Sequence, residues 1–200
     1  GDVGIPQDMN QGARLIKIAA ENCQIDAIGS YGQLFVEGKG VQANTKLAIK
    51  YFEEAIEKGS ALAMNEYANM LSQGKGVPID YDLATKYFKM AIDKGYARAI
   101  NDYGYMIDNM EDVPSNYGSS IDYFKLAIEY GDADAYVNLS SKYMKGEGVQ
   151  INHNIGVKYA KLAMKKGSPE AFFNYAYMLR NGEGVPVNYE EAIKYLQIAI

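Results

Sequence analysis

The chain of 200 residues has no tryptophan, one cysteine, one histidine and five prolines. A lone Cys23 permits no intramolecular disulfide, so a cross-linked scaffold is excluded. His153 has no second imidazole to share a metal with, and a surface or half-buried packing role is expected for it. No run of about 18 apolar residues is present, so no membrane-spanning helix lies within the segment. Positive charge is also in deficit, with 20 Lys and Arg against 25 Asp and Glu and a formal charge of −5. Neither nucleic acid nor an anionic membrane is therefore the expected partner. No secretory signal opens the sequence, and its composition suits the cytoplasm and an organelle lumen equally.

What the chain does contain is apolar and repetitive. Hydrophobic residues make up 48%, and eighteen of them are tyrosine. A spacing of 36 residues runs through the sequence. Val41, Val77, Val113, Val149 and Val185 share one phase, joined by Ile5. Asp8, Asn44, Asp80, Asn116, Asn152 and Asn188 stand three residues later. Tyr51, Tyr87, Tyr123, Tyr159 and Tyr195 form a third ladder, and Ala19, Ala55, Ala91, Ala127, Ala163 and Ala199 a fourth. Such a period is the signature of stacked repeats.

Each period reads as two helices. Ala48, Tyr51, Phe52, Ala55 and Ile56 fall on one helical stripe. The Asn/Asp ladder stands where a side-chain oxygen can cap the start of this helix. Gly59, Gly95, Gly131 and Gly167 stand where it should end in a left-handed residue. The other helix is predicted over about Ala63 to Gln73, with Ala63, Tyr67, Ala68, Met70 and Leu71 as its stripe. Ala68, Gly104, Ser140 and Ala176 are small at matched positions and allow close backbone approach. One pair cannot bury both faces, but a stack of pairs forms a core.

The pattern breaks in the third loop, at Cys23 and at His153, which replaces the tyrosine of Tyr81, Tyr117 and Tyr189. Met110 and Asp112 occupy positions held by Gly74 and Gly76 one period earlier, so the turn there should differ, first at Met110. Cys23 replaces a helix-ending glycine and reads as a plain small residue. Asn138–Ser140 forms a glycosylation triplet but falls inside a predicted helix.

"AMNEYANMLSQGKGVPIDYDLATKYFKMAIDKG", from Ala63 to Gly95, and "AFFNYAYMLRNGEGVPVNYEEAIKYLQIAI", from Ala171, closely resemble the Sel-one-like repeat, an α/α repeat related to the tetratricopeptide repeat. The resemblance covers essentially the whole chain. It divides into a leading half unit at 1–26, complete units at 27–62, 63–98, 99–134 and 135–170, and a nearly complete unit at 171–200. It implies an all-α, right-handed superhelical solenoid of helix-loop-helix repeats. The function it implies is that of a non-enzymatic scaffold or adaptor, without cofactor, metal or catalytic residues. Relatives linked with β-lactam binding carry a cysteine pair in each repeat, which this chain lacks.

A partner, a protein or an extended peptide, is expected on the concave face. In this architecture that wall is lined by the first helix of each pair. The expected contact positions are Asn65, Glu66, Asn69, Asn101, Asp102, Tyr105, Asn138, Ser141, Phe173, Asn174 and Tyr177. Exposed asparagine amides would grip a peptide backbone, and the aromatic rings would act as anchors. Two alternatives stand beside this reading. One is a hydrolase-like site in the groove, which a perturbed lysine in a deep pocket would favour. The other is an architectural arm whose apolar end, with Ile193, Leu196 and Ile200, associates end to end.

Overall fold

The computed structural model describes residues 9–110 and 118–199. Among them are eleven helices and no strand. They are α1 (Met9–Glu21), α2 (Ile25–Glu37), α3 (Thr45–Glu57), α4 (Ala61–Gln73), α5 (Tyr81–Asp93), α6 (Ala97–Asp108), α7 (Ser120–Glu129), α8 (Ala135–Lys145), α9 (His153–Lys165), α10 (Pro169–Asn181) and α11 (Tyr189–Ile198). The expected ladder positions Ile5, Asp8, Val113 and Asn116, together with Asp112 and Ile200, lie outside the described residues.

Short polar side chains cap the starts of α3, α4, α5, α9, α10 and α11. The Oδ1 atoms of Asn44, Asp80, Asn152 and Asn188 accept from the backbone N–H three residues on, at 2.9 to 3.1 Å. Each bond satisfies one amide that the first helical turn leaves unpaired. Ser60 and Ser168 do the same for α4 and α10, accepting from Ala63 and Ala171. Helix α4 thus begins two residues before the alanine expected to open it. At the other end of the second helices, Gly59, Gly95, Gly131 and Gly167 follow the last turn with φ of 91°, 81°, 93° and 83°.

Met110 behaves differently from its glycine counterpart. Gly74 has φ +64°, whereas Met110 has no left-handed conformation and its N–H bonds to the Ile107 carbonyl at 3.3 Å. A Cβ makes the left-handed form costly, so the chain leaves α6 by another route. Cys23 is the reverse case. It keeps φ 60°, the one positive φ outside glycine among the described residues. The small residue expected there is exposed and holds a left-handed backbone conformation.

Two compact units divide the chain, Gly1–Asp102 and Tyr103–Ile200. In unit 1, α2 packs on α3 and α4, and α4 on α5. Ala48, Phe52, Ala55, Ala63, Ala68, Ala84, Phe88 and Ala91 are fully buried between them. In unit 2, α8 packs on α7 and α9, and α10 on α9 and α11. Val157, Ala160, Tyr175, Ala176, Met178, Leu179 and Ala192 form one of its apolar clusters.

The tyrosine ladders meet ring to ring. Tyr31 and Tyr51 are 4.9 Å apart between centroids, and Tyr67 and Tyr87 5.1 Å. In unit 2, Tyr103 and Tyr123 stand at 4.8 Å and Tyr175 and Tyr195 at 5.4 Å. Where Leu139 replaces the first tyrosine, Tyr159 turns to Tyr143 instead, at 5.8 Å. Edge-to-face and tilted ring pairs of this kind contribute roughly 0.5–1.5 kcal/mol each beyond their buried area.

Candidate protein-interaction groove

The expected contact positions belong to the first helices of their pairs, and the two units use them differently. In unit 1, Asp102 is the hub. One carboxylate oxygen of Asp102 accepts from the side-chain amides of Asn65, at 2.8 Å, and Asn69, at 2.7 Å. Arg98 approaches the same oxygen at 3.8 Å. Asn65 is 0% exposed and Asn101 5%. The expectation that these two present accessible amides is therefore corrected: both are buried, and Asn65 turns its amide to Asp102 on α6. Glu66 is half-buried beside this network. Burial and then the charge of Asp102 push its carboxyl above the ordinary 4.5, while Arg98 and the Asn65 amide pull it back.

Unit 2 presents an open surface instead. A groove of about 1210 Å³ is lined by one face of each of the three first helices. Helix α6 contributes Tyr105, Asp108 and Asn109, spaced three or four apart as one helical face requires. Helix α8 contributes Asn138, Ser141, Lys142 and Lys145, and α10 contributes Glu170, Phe173, Asn174 and Tyr177. All six contact positions expected in this unit line that one groove. Tyr105 is 48% exposed, Phe173 56% and Tyr177 46%, so three large rings meet solvent. Arg180 covers one face of Tyr177, with its guanidinium carbon 4.8 Å from the ring centre. His153 lies on the rim, exposed at the start of α9.

Sequence reasoning missed Lys142. Only 6% exposed, it stands where the other periods bury Met70, Met106 and Met178. Its ammonium contacts Asp108, and lies 2.9 Å from Glu147. Asp108 also accepts from the Ser120 hydroxyl at 3.1 Å. Burial alone would push the lysine down, but its bonds to Asp108 and Glu147 outweigh that and hold it above the usual lysine value. A charged residue inside a methionine ladder was the available signal. The direction matters chemically: a nucleophilic or basic lysine needs a lowered pKa, and this one is held protonated. Ser140, inside the glycosylation triplet, is buried and donates to the Gly156 carbonyl at 2.9 Å, tying α8 to α9.

Among the described residues no set of three His, Cys, Asp or Glu side chains is grouped to hold a metal. No helix there is long and apolar enough to cross a membrane. Ile193 and Leu196 are exposed on α11.

Paired helices recurring with capped starts, glycine ends and matched ring contacts define an α/α repeat protein. The chain belongs to the Sel1 repeat family, whose model matches residues 1–22, 26–60, 61–96, 97–132, 133–168 and 169–200. Repeats of this family are in general protein-interaction scaffolds. Solved structures of similar fold include a Sel1 repeat protein from Oxalobacter formigenes, 22% identical, with a TM-score of 0.67 over 97% of this chain and 82% of that one. Another is c5321, a protective antigen of uropathogenic Escherichia coli with an SLR fold. It is 23% identical with a TM-score of 0.58, and the match covers 98% of this chain but 42% of that one. The immunity protein Pa5087 of Pseudomonas aeruginosa is 22% identical with a TM-score of 0.62, over 88% of this chain and 65% of its own. A comparison with curated protein sequences gives no match.

Proposed function

We propose that the chain is a non-enzymatic interaction module that holds an extended protein segment in the groove formed by α6, α8 and α10. The observation that carries this reading is the set of exposed rings, Tyr105, Phe173 and Tyr177, lining one groove of about 1210 Å³. Tyrosine and phenylalanine offer large contact area while losing little side-chain entropy. Asn174 and Ser141, both half-buried beside them, supply amide and hydroxyl groups for a peptide backbone. In unit 1 the Asn65 and Asn69 amides are both taken up by Asp102, with Glu66 half-buried beside them.

Peptide display on the immobilised chain tests the reading. Binders selected against the wild type should lose at least about thirtyfold in affinity with Tyr105→Ala/Tyr177→Ala, as two aromatic anchors of roughly 1–2 kcal/mol each require. Equal binding to the double variant would place the partner elsewhere.

A further inference from the structure

Resting on the reading that an extended segment occupies the α6–α8–α10 groove, we infer that the segment carries two lysine or arginine side chains, met by the carboxylates of Glu170 and Glu183. The charges lining the groove are four carboxylates, Asp108, Glu147, Glu170 and Glu183, and two ammonium groups, Lys142 and Lys145. Only the first of these cations is fully committed. Lys142 is buried against Asp108 and Glu147, and Lys145 lies 3.8 Å from Glu147. Exposed Lys145, and Arg180 over Tyr177, remain open to an anion, whereas Glu170 and Glu183 pair with no cation among the described residues.

Glu170 and Glu183 are placed differently. Glu170 is exposed in the first turn of α10 and has no ion-pair partner among the described residues. Glu183 lies just past the other end of α10, where one oxygen accepts from the Asn181 side-chain amide at 3.2 Å. Phe173 and Tyr177 stand between them on the same helix. Glu170 opens α10 and Glu183 follows its C-cap Gly182, so a rise of about 1.5 Å per residue puts the two residues roughly 17–20 Å apart along the helix. An extended chain covers that distance in five or six residues at about 3.3 Å each. The geometry therefore specifies two cations at that spacing with apolar residues between them. The exposed Phe173 ring beside the path adds to their attraction for lysine or arginine.

Affinity selection with three peptide pools tests this. Each pool is random except at two positions six residues apart, fixed as lysine, glutamine or glutamate. The lysine pool should be retained about five- to tenfold better than the glutamine pool in about 0.15 M salt, and the glutamate pool least, the size expected of two exposed ion pairs. Glu170→Gln/Glu183→Gln, with its helical signal unchanged, should bring the lysine pool level with the glutamine pool. Glu57→Gln/Asp93→Asn, in unit 1 and equal in charge change, should not. Equal retention of all pools, or equal loss in the control variant, overturns the inference. The groove reading survives either result if Tyr105→Ala/Tyr177→Ala still weakens every pool. Loss of no pool in that aromatic variant would overturn both.

Discussion

The side-chain amide of Asn65 donates to the carboxylate of Asp102 at 2.8 Å, across a sequence separation of 37 residues. One period plus one residue thus links neighbouring first helices through polar atoms, at positions where an apolar stripe alone would leave the pairing unspecific. Asn69 donates to the same oxygen, so removal of Asp102 leaves two amides without their acceptor. Asp102→Ala should destabilise the protein by about 1–3 kcal/mol, read as a lower urea midpoint at unchanged slope. An unchanged midpoint would mean that the network is ornamental.

Glu66 gives a pH-dependent test. Its carboxyl is raised above 4.5, first by burial and then by Asp102, so the folded state binds this proton more tightly than the unfolded chain does. The stabilising contribution is complete below the unfolded value and is lost as pH rises through the folded one. Glu66→Gln removes the ionisable group. The variant should gain stability relative to wild type at pH 7, and that gain should disappear at about pH 4. Urea midpoints at the two pH values check this, and a gain independent of pH would contradict it.

Cys23 holds φ 60° where later periods carry glycine. Cys23→Gly removes the clash between Cβ and backbone at the cost of a more flexible unfolded chain. A net stabilisation of about 0.5–1 kcal/mol is expected, measured by thermal or urea unfolding. A loss of stability would show that the cysteine side chain makes a contribution larger than the strain.

Lys142 and Lys145 lie one helical turn apart on α8 but differ in burial and pairing. Amine acylation at about pH 8 should modify Lys142 at least about tenfold more slowly than Lys145, because the buried ammonium is held protonated. Peptide mass mapping reads the ratio. Preferential reaction at Lys142 would reverse its assignment and return the hydrolase alternative to consideration.

The repeat was legible in the sequence because it recurs. Caps at Asn44, Asp80, Asn152 and Asn188, the glycine ends and the buried alanines all repeat at fixed spacing, and each is a local requirement of helix ends or close packing. The start of α4 was misjudged by two residues because Ser60, not an alanine, sets it. The groove was legible in part, since helical periodicity places Tyr105, Ser141 and Tyr177 on matched faces. Burial of Asn65 and Asn101 was not legible, because it depends on which side chain the next helix offers at that height. The same holds for Lys142, whose partners Asp108 and Glu147 occupy a helix end and a loop rather than a ladder position.

The proposed function puts the partner on the first-helix face of unit 2. The most direct measurement is backbone chemical-shift mapping of the isotope-labelled chain during titration with a display-selected peptide. Saturable shifts should concentrate at Tyr105, Ser141, Phe173, Asn174 and Tyr177. Shifts confined to the second helices, such as Lys50 on α3 or Lys158 on α9, with none in the groove, would contradict the account.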